Sequence, residues 1–376
     1  MYFFRREKVQ CRYQFSLRDA VDLTLLQRAL TTALASAPYY TQRLVQEKRE
    51  MWLEPNTEPC LVYHGSTMRN IPEQTNGYLF CVSCEGDTIY FDWHHFLLDG
   101  HGVSPLFTSI LEQYCNLRYG TAFAVQQIVC DPPYDMQAML AEYPPVEAGS
   151  DAIQRDVVQT YEGTLRRTRV CLSKQSLVEK ALANNAKPVS ALMGLLCMAM
   201  REYLGKEKIQ YSYSSDTRDV AGVPNALYNC VCSFEHTVQL QAQTRLADFI
   251  SDVDADIKRD LQPQSKRRRM TEQMGWVYKV NQQKAPLRIK QRVFQMGEYI
   301  GGTISDFWLS YLGNPLMPAT PELAQYTTDF GVWVPPDGAS VGVEAASLNG
   351  KIILCIHNKA LHGESVQRET VHAALA

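Results

Sequence analysis

The run from Thr88 to Trp93 places an apolar residue at every second position and ends on two adjacent histidines, His94 and His95. Phe96, Leu97 and Leu98 follow, then Asp99-Gly100, after which Val103, Leu106, Phe107, Ile110, Leu111 and Tyr114 recur at helical spacing. A repeat of two giving way to a repeat of 3.6 across one short loop predicts a half-buried strand, a turn and a helix with one buried face. The histidine pair stands where the strand has ended and the helix has not begun. At such junctions a rigid scaffold presents side chains to a cleft. Successive residues of an extended chain point to opposite sides, so at most one of the two rings faces a given cavity. Imidazole is the side chain best suited to carry a proton near neutral pH. Asp99, followed by a glycine that allows a tight or left-handed turn, can clamp the loop through an arginine without touching a substrate.

The segment His94-His95-Phe96-Leu97-Leu98-Asp99-Gly100 resembles the HHxxxDG signature of the acyltransferase superfamily that includes chloramphenicol acetyltransferase, nonribosomal peptide condensation domains, alcohol acetyltransferases and the plant BAHD enzymes. The resemblance implies an α+β fold of two chloramphenicol-acetyltransferase-like sandwich lobes with a channel between them. It implies acyl transfer from a thioester to a hydroxyl or amine, without a metal or a covalent enzyme intermediate. His95 would be the general base, with His94 and Gly100 completing the motif and Asp99 structural. The expected donor is acyl-CoA as co-substrate, with an acyl group on a carrier protein as the alternative, and the acceptor a small alcohol or amine. Two other readings stay open: a non-catalytic binding protein on the same scaffold, and a metal site from His94, His95, Asp99 and His101. The second is disfavoured, because adjacent histidines on opposite faces chelate poorly and no HExxH or Cys/His finger spacing is present.

At 376 residues the chain exceeds a usual single core, so two lobes are expected. The breakers Asp131-Pro-Pro-Tyr and Tyr143-Pro-Pro mark a crossover over roughly 131–163, dividing an N-terminal lobe, 1–145, from a C-terminal lobe, 146–376. A formal net charge of -3 gives no reason to expect nucleic acid. Eleven dispersed cysteines, an odd number, suit reduced thiols in a cytoplasmic protein better than a disulfide framework. Cys81-Val-Ser-Cys84 stands alone and reads as strand packing. The first residues lack the apolar stretch of a leader, no run is long enough for a membrane span, and the length favours a monomer.

Further patches are similar to landmarks of the superfamily. Asp216-Thr217-Arg218, with Asn225 and Asn229, resembles an Asp/Asn-x-Arg segment and its later asparagine, which makes Arg218 the first candidate partner of Asp99, ahead of Arg12 and Arg18. Ser310-Tyr-Leu-Gly313-Asn314 resembles an inter-lobe turn, with Tyr311 where that turn carries asparagine. Trp93, Ser310 and Asn314 are therefore candidates for the channel or for binding an oxyanion, beside backbone N–H groups near Gly100. Asp329-Phe330-Gly331-Val-Trp333 resembles an architectural element of the plant branch. Lys266-Arg267-Arg268-Arg269 is the densest basic run. It reads as a solvated loop or, alternatively, as a site attracting the phosphates of coenzyme A or an acidic carrier protein. Asp22 caps an expected helix around Leu26–Leu34, Pro188 starts another, Asn349-Gly350 joins two strands in a type I′ turn, and a last helix is expected from Glu364.

Overall fold

A computed structural model describes residues 9–144, 165–301, 305–316, 321–335 and 339–359. The chain opens with β1 (Gln10–Leu17) and α1 (Leu23–Ala35), then a small hairpin of β2 (Gln42–Gln46) and β3 (Met51–Pro55). β4 (Val62–His64), β5 (Phe80–Glu85) and β6 (Thr88–His94) follow, and then α2 (Gly100–Tyr119) and α3 (Met136–Glu142). The second half holds β7 (Leu165–Ser173), α4 (Lys174–Ala183), α5 (Pro188–Leu204), β8 (Lys208–Asp216), α6 (Arg218–Ala221), β9 (Val231–Gln239) and α7 (Leu246–Asp260). It continues through α8 (Pro263–Gln282), α9 (Leu287–Gly301), β10 (Ser305–Tyr311), α10 (Pro321–Ala324), β11 (Thr327–Trp333), β12 (Ala339–Leu348) and β13 (Lys351–Lys359).

Local chemistry sets the element ends. The Asp22 carboxylate accepts the N–H groups of Thr24 and Leu25 at 2.8 and 3.0 Å, satisfying two of the free donors at the start of α1. Pro188 occupies the first turn of α5, where its missing N–H costs nothing. Asn349 and Gly350 take φ values of 48° and 74°, the left-handed pair that a type I′ turn between β12 and β13 requires.

Two sheets carry two cores. The first has strand order β11-β1-β6-β5-β4, and the second β7-β13-β12-β10-β8-β9. Phe15, Ile89, Phe91 and Trp93 bury against Leu26 and Leu30 of α1 and Leu106, Phe107 and Ile110 of α2. In the second lobe Ile209, Tyr211, Val343 and Leu354 bury against Leu192 and Leu196 of α5 and Phe249 and Val253 of α7. The strict alternation of β12 and β13 divides their side chains between the cores. Val341, Val343, Ala345, Ile352, Leu354 and Ile356 enter the second, while Ala346, Leu348, Ile353 and Cys355 enter the first. The lobes thus meet across the far face of the second sheet.

Two sequence expectations need correction. A division after residue 145 does not describe the sheets, because β11, from the second half, pairs antiparallel with β1 of the first. Its Phe330 and Val332 bury in the first core, so a strand edge that would lie bare is covered by chain from the second half. The basic run Lys266–Arg269 lies within α8 rather than in a loop. Arg218 opens the short helix α6. Residues 145–163 of the expected crossover and the helix expected from Glu364 lie outside the described residues. All eleven cysteines are free thiols. Among the described residues no helix is long and apolar enough to cross a membrane, and no group of three or more His, Cys, Asp and Glu could hold a metal ion.

Candidate active site

β6 runs antiparallel to β1 and β5, which fixes the register of the histidine pair: His94 lies opposite Gln10, and its N–H donates to Leu79 O at 2.9 Å. The His94 ring is buried, and its Nδ1 accepts the N–H of Phe96 at 3.2 Å. That bond shapes the loop. His95 is half-buried; its N–H donates to Val9 O at 2.9 Å, and its Nδ1 lies 3.2 Å from Asn229 Nδ2, just before β9 in the other lobe.

Asp99 has three tasks. It caps α2 by accepting the Gly102 N–H at 2.8 Å, and it accepts the Cys230 N–H at 2.9 Å. Its two oxygens also receive Arg218 Nη2 at 2.9 and 3.0 Å. Arg218 further donates to Ala226 O (2.7 Å), Tyr228 O (3.0 Å) and the Asp216 carboxylate (3.1 Å). Burial alone would lower the Arg218 pKa, but the adjacent Asp99 carboxylate turns the shift upward and keeps the guanidinium charged. The two fallback partners are engaged elsewhere. Arg12 pairs with Asp92 at 2.6 Å, and Arg18 pairs with Asp19 at 3.3 Å while stacking over Tyr119 and Tyr326.

Beside this clamp the lobes enclose a cavity of about 610 Å³. α2 contributes Gly100, Ser104 and Thr108 to its wall, and the ends of β8 and β10 contribute Ser214 and Ser310. Asp99, Arg218 and Asn314 also line it, whereas His94, His95 and Trp93 do not. Trp93 lies inside the first core. Its indole N–H donates to Leu98 O at 3.1 Å, and its ring packs edge-on against Tyr13 inside the core. Asn314 spends its Oδ1 on the N–H of Leu316 at 3.0 Å.

Behind Ser310 stands Glu344, the neighbouring position on β12, 1% exposed. Burial pushes its carboxyl well above the usual glutamate value of 4.5, the Ser310 hydroxyl acting in the opposite direction. No signal in the sequence marks this residue beyond a carboxylate inside an apolar strand. A raised folded pKa means the folded chain holds the proton more tightly. The resulting stability is full below 4.5 and is lost as pH climbs toward the folded value. We therefore expect the urea midpoint of the wild type to fall with pH above this point, and Glu344→Gln to remove that part of the slope. Parallel slopes would exclude Glu344 as the cause.

The close approach of the lobes sets another requirement. A Cβ on Gly102 would stand 1.8 Å from the carbonyl oxygen of Leu227 and 2.8 Å from its carbon. Backbone on both sides leaves nothing free to rotate away. Gly102→Ala is expected to cost about 3 kcal/mol, read by chemical denaturation. A cost near zero would mean that α2 and the Leu227 loop separate freely. At Gly100 the nearest atom is the end of the Leu312 side chain, which can move.

The basic run is largely occupied within the molecule. Lys266 pairs with Asp219, Arg267 lies over the Tyr143 ring, and Arg269 pairs with Glu235 at 2.8 Å. Arg268 is exposed and lines a second hollow with His236 and Glu272.

A scan of protein-family models and a search of curated protein sequences both give no match. Comparison of the fold does. The chain has the mixed α+β, two-lobed fold of condensation domains, each lobe a sandwich of the chloramphenicol acetyltransferase type. It is similar to polyketide synthase associated protein 5 from Mycobacterium tuberculosis, with TM-score 0.65 and 16% identity over 98% of this chain and 92% of that one. It is also similar to the first condensation domain of the CDA synthetase, with TM-score 0.64 and 13% identity over 97% and 90%. The epimerization domain from the third module of tyrocidine synthetase B gives TM-score 0.61 and 12% identity over 98% and 89%.

Proposed function

We propose that the chain is an acyltransferase that moves an acyl group from a thioester on a carrier-protein arm to a hydroxyl or amine, with His95 as general base. The observation that carries this reading is the placement of His95, on a loop clamped between the lobes by Asp99 and Arg218, with Asn229 of the opposite lobe 3.2 Å from its Nδ1. With the Asn229 amide turned so that its oxygen accepts an Nδ1–H, the tautomer of His95 that carries its basic lone pair on Nε2 is the favoured one. The two ends of an amide are interchangeable in shape, so a half-turn of the group achieves this at the cost of the 3.3 Å bond that the Val231 N–H donates to Asn229 Oδ1. The acceptor O–H or N–H gives its proton to Nε2 as oxygen or nitrogen bonds to the thioester carbon. The C–S bond then breaks, and the proton passes to the departing thiolate. Ser310 and the N–H groups of Gly100 and His101 are the donors on the cavity side suited to a developing oxyanion.

One observation favours a carrier-protein donor over the acyl-CoA expected from the resemblance. The similar solved structures include condensation domains of synthetases and a polyketide synthase associated protein. A second reading, a binding protein without catalysis, draws on the absence of His95 from the cavity wall. Offering one acyl group both on coenzyme A and on a phosphopantetheinylated carrier protein, with a panel of alcohols and amines, tests these readings. Thiol release is expected from the carrier and is expected to vanish in His95→Ala. Faster release from coenzyme A overturns the donor, and no transfer from either donor leaves the binding protein.

A further inference from the structure

Farther along α2, the same cavity holds polar groups that the proposed reaction does not use. Thr108, Ser109 and Glu112 line it one and two turns beyond Ser104. Thr108 and Ser109 are only 3% and 4% exposed, yet the oxygen of each hydroxyl lacks a hydrogen-bond partner among the described residues. Serine and threonine inside helices commonly satisfy themselves on a carbonyl one turn back, so two such orphans side by side are unusual. Glu112 is 5% exposed, and burial raises the pKa of its carboxyl.

The charges of the walls do not balance. Asp99 and Asp216 share Arg218, and Asp216 also has His101 at 3.4 Å. Glu112 has no cation from Lys, Arg or His within ion-pair distance among the described residues. Burial disfavours the charged form of a carboxyl in this position; an ammonium group beside it would favour ionisation and repay the desolvation. An ammonium has only donors, and the hydroxyl oxygens of Thr108 and Ser109 can accept them. Gly100 and Glu112 are separated by about 18 Å along the helix axis, so the ligand that spans the cavity is elongated.

We propose that the Glu112 end of the cavity binds the positively charged amine of an elongated ligand, with Glu112 as counter-ion and the Thr108 and Ser109 hydroxyls as acceptors. The inference deepens the proposed function, on which it rests for the identity of the ligand as a substrate: an acceptor or acyl chain carrying a basic amine away from the reacting end.

Spermidine, an extended polyamine, and 1,8-octanediol, an uncharged chain with hydroxyl ends, serve as probes in calorimetric titrations of the full chain. Saturable spermidine binding is expected in the wild type, weakened about 10- to 100-fold in Glu112→Gln. The diol is expected to bind both proteins alike. Glu112→Gln is isosteric and removes a buried ionisable group, and its thermal midpoint confirms folding; Thr108→Val provides an independent variant with a smaller expected loss. Absence of spermidine binding in the wild type, or equal affinity in folded Glu112→Gln, overturns the proposal. His95→Ala separates the two claims, because it should abolish transfer and leave spermidine binding intact. If no thioester supports transfer but Glu112-dependent binding persists, the reaction falls and the cation site stands.

Discussion

Replacing His95 by alanine is expected to lower the rate of acyl transfer by about 10²- to 10⁴-fold, the usual contribution of a positioned general base. Folding should survive. The backbone of His95 keeps its hydrogen bond to Val9 O whatever the side chain, and the ring is half-buried rather than part of either core. The contact with Asn229 that disappears is worth about 1 kcal/mol. His94→Ala should behave in the opposite way. Its ring is 2% exposed and its Nδ1 receives the Phe96 N–H, so its loss disturbs the loop and lowers stability. Comparing single-turnover thiol release with urea midpoints separates the two roles: His95→Ala slow but stable, His94→Ala less stable. A His95→Ala protein that transfers at the wild-type rate removes the proposed base.

Features of one segment were legible in the sequence; features that depend on distant pairing were not. The alternation at Thr88–Trp93 and the helical spacing after Asp99 became β6 and α2, because each pattern specifies which face of its own element is buried. The contact between Asp99 and Arg218 joins residues 119 apart, and only a family resemblance suggested it. The place of β11 in the first sheet had no such pointer, since a strand's own residues do not identify the edge it will cover. The basic run shows the same limit from the charge side. Four adjacent cations read as solvated, while the partners of Lys266 and Arg269, Asp219 and Glu235, lie on other elements. Thr108, Ser109 and Glu112 would pass as the wet face of an amphipathic helix. The second lobe closes over that face and turns it into the wall of a cavity.

Arg218→Ala is expected to destabilise the chain by about 3–5 kcal/mol, the cost of removing one partner from a buried ion pair. The pair is well inside that class, with side chains 4% and 3% exposed. Truncation leaves the Asp99 carboxylate with the Gly102 and Cys230 N–H groups but no cation, and it strips the carbonyls of Ala226 and Tyr228 of their donor. Lysine cannot restore this arrangement. Its ammonium retains the charge but lacks the planar fork that reaches Asp99, Ala226 and Tyr228 together, so Arg218→Lys should recover only part of the loss. Asp99→Asn differs again, because an amide keeps one acceptor oxygen for the cap of α2 while removing the charge. If the two side chains act as one clamp, the double variant Asp99→Asn/Arg218→Ala will be more stable than the sum of the single losses requires, by a coupling within about 0.5–3 kcal/mol in denaturant titrations. Strict additivity would mean that each side chain holds its own lobe independently. In that case the loop carrying His95 would owe its position to its other contacts, among them Asn229, the His94–Phe96 bond and the strand register.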